Sequence, residues 1–136
     1  MRTGYKFAEP PYSLHDCPVR FLAAGNKLTL ETEYGMKLPE PPYVTDSGRV
    51  ELHGLDWDFC WAYILSEAGS NGRFEGEKLQ LADFFARCPD VRLEVIDEHY
   101  GYNKVRYCGF ADLDGEMREL AVEIYCDGPI VYIAGK

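Results

Sequence analysis

The residues able to do chemistry are few and scattered. His15, Asp16 and Cys17 stand together in "HDCP", and His53 and His99 are the remaining histidines. Zinc accepts His, Cys and Asp ligands, but needs them at a spacing that closes on one ion. Here the three histidines lie on distant segments, so no metal site is expected, and whether His15, Cys17 and His99 converge is open. Cys17 looks like a loop residue with a possible base, His15, two positions away. A capped turn, with Asp16 bonding nearby amides, explains the same letters. Asp56 and Asp58 in "LDWDFCW" share a side if the chain is extended, and paired carboxylates can divide acid and base roles. They also suit a polar lead into a strand. "DLDGE" from Asp112 has the first letters of a calcium loop without the later ligands, and a hairpin turn accounts for it. No catalytic residue and no cofactor are expected.

The densest stretch is "DEHYGYNKVRYCGF", from Asp97 to Phe110. Read as two arms of a hairpin, its acids and cations pair across strands. Val91, Leu93 and Val95 then share one face, and Arg92, Glu94, Ile96 and Glu98 the other. "HYGYN" becomes the connection, with Gly101 and Asn103 free to take positive φ. The pairing leaves Tyr100 and Tyr102 unexplained. Rings beside Asp97 and Glu98 could seat a cation. The expected binding residues are therefore Asp97, Glu98, Tyr100 and Tyr102. The competing reading folds the tip back onto the core.

The elements that must position these residues follow mainly a period of two. "KLTLETEY" sets Leu28, Leu30, Thr32 and Tyr34 on one face, and pairs with "VRFLAA" across a Gly25-Asn26 turn. "RVELHG" puts Val50 and Leu52 inward and His53 outward. "DFCWAYIL" is apolar on both faces and reads as a central strand covered on both sides, or as a bend in a closed sheet. Leu81, Phe84, Phe85 and Cys88 instead mark one helical face, poorly capped at Gln80 and stopped by Pro89. Four strand-like segments follow: "VRLEVIDE", "KVRYCGFA", "MRELAVEIYC" and "PIVYIA", with Asp114-Gly115 as a hairpin turn. The fold class expected is mainly β: an antiparallel β-sandwich or partly open barrel of about eight or nine strands, with one short helix near 80–88. "EPPY" occurs twice, at Glu9 and at Glu40, in stretches read as connections.

The whole chain of 136 residues fits a single domain, 1–136, with residues 1–17 as an extended N-terminal segment. Its net charge is −9. Residues 1–48 carry five cations and six acids; residues 49–136 carry nine and seventeen. Such a surface repels phosphate backbones and anionic lipid, so neither nucleic acid nor membrane is an expected partner. A basic protein is. "MRTGYKFAEPPY" has no apolar h-region, so no signal peptide is expected. Five cysteines, an odd number without CxxC spacing, fit reduced thiols and a cytoplasmic location.

"SLHDCPV", "GRFEGEKLQLADFF" and "IDEHYGYNKVRYCGF" resemble the small, uncharacterised domain-of-unknown-function proteins of anaerobic Gram-positive bacteria. The resemblance covers most of the chain after residue 13. It implies a β-rich bacterial cytosolic protein, and brings no activity and no site residues. In size and acidity the chain is also similar to immunity proteins. Function is thus expected to be non-enzymatic binding, immunity-like against a basic partner. The alternative is a small-molecule binder or hydrolase using a barrel interior.

Overall fold

The computed structural model describes residues 2–5, 10–65 and 76–135, with side chains from residue 10 onward. In chain order the strands are β1 Arg2–Tyr5, β2 Cys17–Ala24, β3 Lys27–Thr32, β4 Met36–Lys37, β5 Thr45–Asp46, β6 Gly48–His53, β7 Trp61–Leu65, β8 Gly76–Gln80, β9 Arg92–Gly101, β10 Lys104–Leu113, β11 Glu116–Tyr125 and β12 Ile130–Ala134. One α-helix, α1, spans Leu81–Arg87, and a 3-10 turn spans Trp57–Phe59. Ten strands form one antiparallel sheet in the order β1-β12-β6-β3-β2-β9-β10-β11-β7-β8, and β4 and β5 form a separate ribbon. The ends of the large sheet, β1 and β8, do not pair, so the sheet is not closed into a barrel. The expected class, mainly β and antiparallel with one short helix, is the observed one.

Alternation explains the core. Val19, Leu28, Leu30, Val50, Leu52, Leu93, Val95, Leu120 and Val122 point to one buried cluster, together with Leu14, Tyr107 and Tyr132. The sheet curls around this cluster. Helix α1 closes part of it with Leu81 and Phe84, both fully buried. Phe85, on the same helical face, is half-buried and packs its ring on Phe21 at 5.2 Å and Trp57 at 6.4 Å. Gln80 caps α1 without a side-chain bond, as its type predicts.

Several expectations are corrected. β7 is not central: it lies one strand from the sheet edge. Tyr34 does not share the inner face with Leu28 and Leu30. β3 ends at Thr32, Gly35 turns the chain at φ +104°, and Tyr34 is 72% exposed. Cys17 is not a loop residue. It opens β2, is buried, and its Sγ–H donates to the carbonyl of Gly35 at 3.3 Å. Within the segment 1–17, β1 pairs with β12, Thr3 opposite Tyr132.

The largest correction lies in β9. Cys108 opposes Asp97, yet the next residue, Gly109, opposes Val95. Ile96 is the extra residue of a β-bulge. An extra residue reverses which side chains face inward. Before it, Val91, Leu93 and Val95 are buried; after it, Glu98 and Tyr100 turn inward while Asp97 and His99 are exposed. Glu98 therefore does not share the outer face with Arg92 and Glu94. Gly109 permits this approach: a Cβ there would run into the carbonyl oxygen of Glu94.

Candidate functional site

The four expected binding residues divide. Glu98 and Tyr100 belong to an interior polar network. Glu98 Oε2 accepts from Ser13 Oγ at 3.0 Å and from the amide of Leu14 at 3.1 Å, and Oε1 accepts from Tyr100 Oη at 2.7 Å. Tyr100 Oη lies 3.2 Å from Tyr132 Oη. With the Tyr100 proton committed to the carboxylate, Tyr132 must be the donor to Tyr100. The order is Tyr132 to Tyr100 to Glu98, a chain of donors that ends on the Glu98 carboxyl. Burial, and then the neighbouring Tyr107, Tyr132 and Glu98, push the Tyr100 phenol far above its ordinary value of 10.0. Tyr107, fully buried, is raised for the same first reason. Its hydroxyl has no hydrogen-bond partner among the described residues. This network joins the segment before β2 to β9 and β12. Its groups are engaged with one another.

Asp97 and Tyr102 face solvent. Tyr102 and Asn103 form the two-residue turn between β9 and β10, with Asn103 at φ +54° and the Tyr102 ring 78% exposed. The Tyr102–Asn103 turn does not stand alone. Cys126 donates its amide to Asn103, Asp127 to Gly54, Leu55 to Asn26 and Asp56 to Tyr125. Trp57 Nε1 donates to the carbonyl of Gly25 at 2.8 Å. These bonds bring four connections to one end of the sheet: Gly25–Asn26, Gly54–Phe59, Tyr102–Asn103 and Asp127–Gly128.

At that end Asn26, Asp56, Trp57, Asp58 and Asp127 surround an open hollow of about 370 Å³. Asp56 caps the 3-10 turn, accepting from the amide of Asp58 at 3.2 Å. The pair thus plays the polar lead-in role, and Asp127 brings a third carboxylate to it. Phe59, 59% exposed, leans on Tyr125 at 5.9 Å beside it. The grouping is chemically simple: three carboxylates, no cation among the described lining residues, and two exposed rings nearby. It can neutralise and cover a cationic side chain.

Asp127 and Phe59 were not among the residues singled out by type and spacing. Asp127-Gly128 carries only a turn signal, and Phe59 sits in an apolar run. Phe59 follows Asp58 and closes the same 3-10 turn, whereas only the sheet order places Asp127 beside Asp56.

The other candidates are occupied locally. His15 Nδ1 lies 3.0 Å from Asp16, and His53 Nε2 lies 3.1 Å from Glu51. His99 opposes Arg106 on the outer face. Among the described residues, no three His, Cys, Asp or Glu side chains gather as metal ligands. Asp112 accepts from the amide of Gly115 at 2.9 Å in the β10–β11 turn. Burial raises the thiols of Cys17, Cys60 and Cys88, which opposes thiolate formation. No disulfide joins the five cysteines. No helix among the described residues is long and apolar enough to cross a membrane. Comparison with protein-family models, with curated proteins and with solved structures returned no match for this chain.

Proposed function

We propose that this is a non-enzymatic binding protein whose acidic end receives a basic protein. Its most concrete form is an immunity-like role, neutralising a basic toxin in a bacterial cytoplasm. The observation that carries the reading is the hollow bounded by Asp56, Asp58 and Asp127, with the exposed rings of Phe59 and Tyr102 at the same end. Seventeen of the chain's acids lie in residues 49–136, which supply all of these groups. Such a field steers a basic partner to the surface before contact. Asp97, exposed on β9, extends the negative surface along the outer face. The rings would then hold what the charges attract, as buried aromatic anchors do.

The interior does not favour the rival reading of a ligand site inside the barrel. It is filled by Tyr107, Tyr132, Phe84 and the surrounding aliphatic side chains, all fully buried.

The test is capture of partners from the native cytosol, followed by association kinetics on what binds. A basic partner is expected, with an association rate that falls as salt rises, since exposed charges are screened within about 8 Å at physiological ionic strength. Asp56→Lys with Asp58→Lys should slow association, and Phe59→Ala and Tyr102→Ala should speed dissociation. An acidic partner, or association indifferent to salt, would make the charge a solubility device alone.

A further inference from the structure

Ten lysine and arginine side chains are described. Seven lie within 4.0 Å of a carboxylate oxygen. Two more lie against rings: Lys78 is 4.3 Å from the centroid of Trp61, and Arg106 is 5.2 Å from that of Tyr63. Among the described residues Lys37, on β4, has neither kind of partner. In a protein of net charge −9, acids outnumber cations, and a cation left without one calls for a reason.

Its surroundings supply one. Lys37 lines a cleft of about 480 Å³ with Ser13, His15, Leu38, Pro39 and Tyr43. That volume lies within the range of small-molecule sites. Glu98 takes three donors, Asp16 holds His15 Nδ1, and Asp46 accepts from Tyr12 Oη at 3.1 Å. Ser13 is likewise engaged, donating to Glu98 and accepting from the amide of His15. What remains on offer is one ammonium against a wall of Leu38, Pro39 and the Tyr43 ring, which is 57% exposed.

We infer that this cleft binds a small organic monocarboxylate, its head on Lys37 and its apolar or aromatic body on Leu38, Pro39 and Tyr43. A carboxylate fits better than a phosphate. One ammonium balances one negative charge, and the protein's net negative field opposes a dianion more strongly than a monoanion. The apolar wall selects a ligand with a hydrocarbon body over acetate-sized anions.

The probe is benzoate, titrated into the whole protein while backbone amide resonances are followed by NMR. Saturable shifts are expected at Ser13, His15, Lys37, Leu38 and Tyr43. Benzamide, the neutral analogue, should bind about tenfold or more weakly, the worth of one charge-assisted contact, and phenyl phosphate should bind more weakly than benzoate. Lys37→Gln should weaken benzoate about tenfold or more at unchanged melting temperature, Lys37→Arg should retain it, and Lys104→Gln should leave it unaltered. Shifts that do not saturate, equal binding of benzamide, or indifference to Lys37→Gln would overturn the inference. So would binding of a peptide through its C-terminal carboxylate with none of benzoate.

Discussion

Glu98 shows how one side chain changes role when its orientation changes. On the outer face it would be one more solvated acid. Turned inward by the bulge at Ile96, it accepts from Ser13, Leu14 and Tyr100. Glu98→Ala removes the acceptor and strands those donors, so unfolding free energy should fall by about 2–3 kcal/mol, read from the denaturant midpoint at constant m-value. The buried phenols carry a pH prediction. Tyr100 and Tyr107 are raised far above the ordinary 10.0. Above pH 10 the unfolded chain releases these protons and the folded chain keeps them. Stability present below pH 10 is therefore lost as pH rises, by about 1.4 kcal/mol per pH unit for each ring. Urea unfolding at pH 9, 10 and 11 should show this decline, steeper than in Tyr107→Phe. A flat profile would mean that both rings ionise in the folded protein.

At the scale of elements, the helix and the bulge carry the argument. The i, i+3, i+4, i+7 spacing of Leu81, Phe84, Phe85 and Cys88 put one face of α1 against the sheet, and the structure grades that face. Phe84 is fully buried and Phe85 half-buried. Phe84→Ala should cost about 3–5 kcal/mol, and Phe85→Ala less, in the same denaturation series. The bulge depends on Gly109, where any Cβ meets the Glu94 carbonyl. Gly109→Ala should cost about 1–3 kcal/mol by forcing the two strands apart. If Gly109→Ala is neutral, the close approach of β9 and β10 is not required. The two hairpin turns at Gly25-Asn26 and Asp114-Gly115 were legible because positive φ selects glycine and asparagine. Gly25 has φ +61°, Asp114 +55° and Gly115 +85°. The ribbon β4–β5 was not legible, since two-residue strands have no period to detect.

Across the whole molecule, β1 and β12 meet as neighbouring strands. β12 lies between β1 and β6 and contributes Tyr132 to the core. Pairing of this kind is non-local, and its ordering entropy must be met before its contacts form. A chain ending at Gly128 lacks Ile130–Ala134 and should fail to fold, seen as loss of the dispersed amide NMR spectrum. The same long-range pairing assembles the acidic end, where Asp56 and Asp127 come from connections 71 positions apart in the numbering. Net charge could be counted from the chain, but only the sheet order gathers it.

The sequence alone determined the class of fold, most strand positions, the helix and its buried face, and the excess of acid in residues 49–136. Those follow from local periodicity, turn chemistry and composition, all carried by neighbouring residues. Tertiary structure alone decided that Glu98 and Tyr100 face inward, that Cys17 is buried, and that Asp127 joins Asp56, Asp58 and Phe59. It also decided that Lys37 stands without a counter-charge among the described residues. The physical reason is parity and register. A strand's alternation names two faces without saying which is buried, and one extra residue at Ile96 exchanges them. That extra residue is visible only against its partner strand, where Gly109 lets β10 approach.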